Sequence, residues 1–121
     1  MAFLGTAYVS PSAAHTASFN SGDITLDSDA DELLLAVNIS APPTGTSPTL
    51  VVSVDLKGID GVYYNAFTSA ILTAAGNTVA HMGPALPVNI ELTPVVRVSF
   101  VIGGTTPSFS FSATLEQNAR N

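Results

Sequence analysis

The 121-residue sequence predicts an all-β fold, an antiparallel β-sandwich of jelly-roll or immunoglobulin-like type with about eight short strands. Three observations carry that expectation. Apolar side chains recur at every second position in several runs, Gly, Pro and Asp-Gly signals punctuate those runs, and no stretch makes a convincing helix. No internal repeat is visible, which argues against a propeller or a β-helix. The expected organisation is residues 1–22 as an extended N-terminal arm with a first strand, and 23–121 as one sandwich domain.

The elements follow in chain order. The first 22 residues are rich in Ala, Ser and Thr and place a strand near His15 to Phe19. In "ELLLAVNIS" the apolar positions are Leu33, Leu35, Val37 and Ile39; in "TLVVSVDLK" they are Leu50, Val52, Val54 and Leu56, so each run is a strand with one buried face. Between them "APPTGTSP", 41–48, carries three prolines, which forbid continuous ladder pairing and predict a loop. Asp60-Gly61 marks a turn before a short aromatic strand, Tyr63 to Phe67. Thr68, Ile71, Thr73, Thr78 and Val79 favour extended structure over the helix that the neighbouring alanines would allow, giving short strands at 69–73 and 77–82. Prolines 84, 87 and 94 bracket Val88 to Leu92, an edge strand. Finally, Val96, Val98, Phe100 and Ile102, then Phe109, Phe111, Ala113 and Leu115, predict a closing hairpin turned by "GGTTPS".

Composition narrows the function classes. Charged residues are 10% of the chain, against about 25% in an ordinary domain, while 46% is hydrophobic and the net charge is -6. With Lys57, Arg97 and Arg120 as the only basic residues, the clustered cations that bind phosphate are missing, so neither nucleic acid nor a membrane is an expected partner. There is no cysteine for a disulfide or a thiolate metal site. The N-terminus lacks a basic region followed by a sustained apolar run, a poor match to a secretion signal, and no apolar run is long enough for a membrane helix.

No catalytic constellation is present. Asp23, Asp27, Asp29, Asp31 and Glu32 offer hard oxygen ligands, but in a calcium loop begun at Asp27 the glycine position holds Glu32 and the final glutamate position holds Asn38. The segment therefore reads as a solvated acidic turn. His15 and His81 lack metal-ligand spacing and are expected at the surface or an interface. There is no nucleophile elbow, no phosphate loop, and Glu91 and Glu116 sit near strand ends with nothing to pair them across a cleft. Asn38-Ile39-Ser40 matches a glycosylation sequon, which carries little weight without a secretion signal. Phe100, Phe109 and Phe111 fall in phase with aliphatic neighbours and belong to the core, leaving Tyr63 and Tyr64 as the aromatics that a sugar-stacking platform would use. The expectation is no catalytic residue, no cofactor, no metal and no enzymatic activity.

The succession "SPTLVVSVDLKGIDGVYYNAF", a Thr/Ala/Gly run and "VVRVSFVIGGTTPSFSFSATL" resembles small all-β virion proteins of tailed bacteriophages, of the capsid decoration or minor capsid type. The resemblance covers about residues 47–115 and is most specific in the final segment. Tyr64 stands where the family often has Trp, "VNIEL" is an added segment, and the first 30 residues have no counterpart. The resemblance implies a structural protein on the capsid surface, made in the bacterial cytoplasm, that stabilises the shell by bridging subunits of the major capsid protein. It also implies self-association, as a homotrimer or another symmetric oligomer. Phe3, Leu4, Tyr8 and Val9 would be an arm docked on a neighbour, with Tyr63 and Tyr64 as further contacts. A tail or head-tail component and a carbohydrate-binding adhesion module are the alternatives.

Overall fold

One long strand determines the architecture. The computed structural model describes residues 2–84, 86, 88–89 and 92–119, with the side chains of all of these except 2–4, 6–8 and 89. Its strands are β1 (Ala2–His15), β2 (Phe19–Asn20), β3 (Ile24–Thr25), β4 (Glu32–Ile39), β5 (Thr44–Lys57), β6 (Tyr63–Thr68), β7 (Gly76–Gly83), β8 (Val88–Asn89) and β9 (Val95–Ala119). No helix occurs among the described residues.

The first half of β9 pairs antiparallel with β5 on one side and with the short β2 and β3 on the other. Its second half pairs with β4 and β1. Two sheets result. The first runs β1, β9, β4, β7, with β8 added in parallel beside β7, and the second runs β2/β3, β9, β5, β6. A long antiparallel ribbon folded over itself into two sheets that share β9 is a jelly-roll, so the expected sandwich is the observed one.

The core lies between the sheets, where the alternation placed it. Leu33, Leu35, Val37 and Ile39 of β4, Leu50, Val52 and Val54 of β5, and Val96, Val98 and Phe100 of β9 are buried. So are Phe109, Phe111, Ala113 and Leu115, all at 0% exposure, which means that β9 buries its even positions in one sheet and its odd positions in the other. That change of parity requires a kink. It occurs where Gly104 (φ 110°) and Thr106 (φ 47°) sit opposite Gly45 (φ 107°) and Ser47 (φ 50°) on the partner strand. A Cβ on Gly45 would lie 2.6 Å from the Thr106 carbonyl oxygen, and one on Gly104 would lie 2.8 Å from that of Ser47. Both strands therefore need glycine at this corner because each backbone presses on the other.

Several expectations are corrected. Residues 96–115 are not a hairpin: "GGTTPS" is a bend within one strand, and each flanking run takes its partners from β5 or β4 instead of from the other run. Alternation cannot separate these cases, since both give two runs with one apolar face each. The 41–48 loop is shorter than expected, because pairing resumes at Thr44 and proceeds through Thr46 and Thr49, with Pro48 in the skipped interval where no ladder N–H is needed. Residues 69–73 form only the bridge Leu50–Leu72. Of the edge strand expected over 88–92, Val88–Asn89 is a strand and Leu92 is not, while residues 90–91 lie outside the described residues. The N-terminal segment is an edge strand of this chain's own sheet, with Ala2 opposite Ala119 and His15 opposite Phe109.

Phe109→Ala is expected to lower unfolding free energy by about 3–5 kcal/mol through loss of a fully buried ring, as read from urea denaturation. A loss below about 1 kcal/mol would contradict its place in the core. Gly104→Ala should cost about 1–3 kcal/mol by the same measurement, from positive φ and collision with the facing carbonyl.

Candidate interaction surface

The β5–β6 hairpin holds the most exposed apolar group of the described chain. Its turn is closed by Gly58 N–H donating to the Val62 carbonyl at 2.8 Å and Gly61 N–H donating to that of Gly58 at 3.0 Å. The Asp60 carboxylate fastens it further, accepting from Val62 N–H at 3.0 Å and from the Tyr64 hydroxyl at 2.6 Å. Gly61 occupies the left-handed region at φ 79°, as an Asp-Gly turn requires. This bonded turn leaves the Ile59 side chain fully in solvent, with Val62 (49% exposed) and Tyr64 (53%) beside it. Burying such groups against a partner would be favourable, which makes this turn the candidate contact.

Behind the turn, on the outer face of the second sheet, Tyr63 organises the described cations. The Arg97 guanidinium carbon lies 3.7 Å from the Tyr63 ring centroid and the Lys57 ammonium 5.6 Å from it. The Tyr63 hydroxyl donates to Asp23, which also pairs with Lys57 at 2.8 Å. Arg97 pairs with Asp55 at 3.2 Å, and Asn65 donates to the same carboxylate at 3.3 Å. The Lys57 hydrogen bond, and after it that of Tyr63, holds Asp23 below the usual carboxylate range, while Asp23 pushes the Tyr63 hydroxyl and the Lys57 ammonium up. Tyr64 in turn lowers Asp60 and is itself raised by it. Every one of these groups is committed to a neighbour. The cluster is a clamp joining β6 to β5, β9 and the segment before β3, and it sets the platform on which the turn stands.

Tyr63 and Tyr64 lie at this end of the sandwich, the first in the clamp and the second in the turn. Val9 is half-buried against the core, and the side chains of Phe3, Leu4 and Tyr8 lie outside the described set. Glu91 and Arg120 also lie outside it. Of the acidic segment, Asp27 caps a tight turn, accepting from Asp29 N–H at 2.9 Å through its carboxylate and from Ala30 N–H at 3.0 Å through its carbonyl. Glu32 departs from the expected solvated turn: its side chain is 2% exposed and faces His81 at 3.8 Å. No group of three His, Cys, Asp or Glu among the described residues could hold a metal. His15 is not a plain surface residue, because it stacks on Phe19 with centroids 4.3 Å apart and bonds Ser10 at 3.1 Å. Sequence reasoning missed Ile59 and Val62. The available signal was an isoleucine inside a Gly-Ile-Asp-Gly turn, where polar residues are the rule.

No protein-family model matches the chain, and no curated protein matches it in sequence. Its fold is similar to that of solved capsid proteins of infectious bursal disease virus. These include the VP2 subviral particle, with a TM-score of 0.60 and 14% identity over 96% of this chain and 32% of that one. The Gx strain gives 0.59 and 14% over 95% and 31%, and the T13 viral particle 0.58 and 14% over 95% and 30%. The chain thus spans less than a third of the length of those proteins.

The pH dependence of stability follows from the clamp. Asp23 titrates lower in the folded chain than its ordinary value of 3.8, so its contribution is present above that value and is lost as pH falls through the lowered one. Melting temperature should therefore drop on acidification below about pH 4, and Lys57→Met should make that drop shallower, as followed by thermal melts across the acid range.

Proposed function

We propose that the chain is a structural protein of a virus particle, and more finely a decoration protein that binds the outside of a tailed-phage capsid and bridges its major capsid subunits as a symmetric oligomer. The observation that carries this reading is the fold: a jelly-roll that matches particle-forming capsid chains over nearly its whole length. The surface supports it. A chain with 10% charged residues has little surface that water favours over protein, and the Ile59 turn supplies a preorganised apolar knob for a shell socket. Its work is binding without catalysis. Neither nucleic acid nor membrane suits it as a partner, since Lys57 and Arg97, the described cations, are both held by carboxylates.

The test is sedimentation of the purified chain with emptied tailed-phage capsids that lack it. Saturable binding at a copy number comparable to that of the capsid subunits is expected, and Ile59→Asp should weaken it at least tenfold without lowering the melting temperature, because the side chain has no contacts to lose. Absence of binding by the unmodified chain, or saturation at only a few copies per particle, would overturn the decoration reading.

A further inference from the structure

The sandwich is electrically divided along its length. Segments 1–22, 33–54, 61–90 and 98–115 contain no Asp, Glu, Lys or Arg. The topology gathers parts of these segments at one end of the sandwich. Their shared end is the corner where β9 crosses between sheets, comprising residues 16–18, 40–49, 69–76 and 102–108. Every described charged side chain lies in the opposite half, near the start of β4, the end of β5 and the two ends of β9.

The exposed apolar groups divide in the same way. Ile59, Val62 and Tyr64 stand at the charged end, whereas Ile71 (65% exposed), Val79 (63%) and Val101 (55%) lie on the uncharged half. Ile71 and Ala75 line a groove of about 200 Å³ with Ile39 at that end. Val79 borders a second, of about 250 Å³, with Ala36, Asn38 and Thr114 on the outer face of the first sheet.

We infer that the uncharged half of the sandwich is the surface through which copies of this chain bind one another. Charge placement selects that occupant. A partner bearing positive charge is drawn to the acidic end, and two copies of a chain with net charge -6 repel if those ends meet. Contact through the uncharged half holds the acidic ends apart and strips water from hydroxyl, amide and apolar groups without desolvating any ion. The surface that meets it at the same low cost is its own. This deepens the proposed function and rests on it for the particle setting, but its test uses the isolated chain, so its failure is separable from a failure to bind capsids.

Sedimentation equilibrium of the full chain should give an oligomer whose dissociation constant changes less than about twofold between low and high salt, since no ion pair lies in the contact. Ile71→Glu and Val101→Glu should each weaken association at least tenfold, while Ile59→Glu leaves it unchanged. All three sites are exposed, and unchanged melting temperatures would show that the variants fold. A monomer at every concentration tested, strong salt dependence, or disruption by Ile59→Glu and not by the other two would overturn the inference.

Discussion

The structure depends on β9 belonging to both sheets at once. Seven of the eight other strands are next to β9 or one strand removed from it, and β1, β2, β3, β4 and β5 pair with it directly. A strand shared in this way makes the two sheets one cooperative unit, because neither half of the ribbon can leave without exposing the core face of the other. It also concentrates the difficulty of the fold at a single place, the corner where the chain must reverse the parity of its buried face.

That corner is held from inside by aromatic packing. Phe100 from the first half of β9 and Phe111 from the second approach with centroids 5.2 Å apart. Phe19 stacks on Phe100 at 4.6 Å, and His15 lies 4.9 Å from Phe111. The rings thus tie both halves of β9 to the N-terminal segment, and the glycines on the outside of the bend let two backbones cross where side chains would not fit. Apolar attraction within and steric permission without are two sides of one solution.

Much of this was legible in the residues. Each buried face of β4, β5 and β9 follows from alternation alone, and Asp60-Gly61 marks the turn that occurs. What alternation cannot reveal is connectivity. "GGTTPS" carries the chemistry of a turn, and only Gly45 and Ser47, far away in sequence, show that it is half of a paired bend. The interaction surface was harder still. Tyr63 and Tyr64 were visible as candidates, but Arg97 over the Tyr63 ring is a long-range contact, and the Ile59 knob depends on hydrogen bonds closing a turn around it. Glu32 looks in the sequence like one more solvated acid and is buried, although it stands out of phase with the core positions Leu33, Leu35, Val37 and Ile39 and faces His81 instead.

The placement of β1 has a mechanical consequence. Its ladder with β9 is antiparallel and brings Ala2 beside Ala119, so a pull applied across those two residues loads the hydrogen bonds one pair at a time and peels the edge strand away. A pull entering at the Ile59 turn and leaving through the opposite corner would run along β5 and β9 and load their many bonds together in shear. A shell component anchored at its loops would use the strong direction of this molecule and spare the weak one.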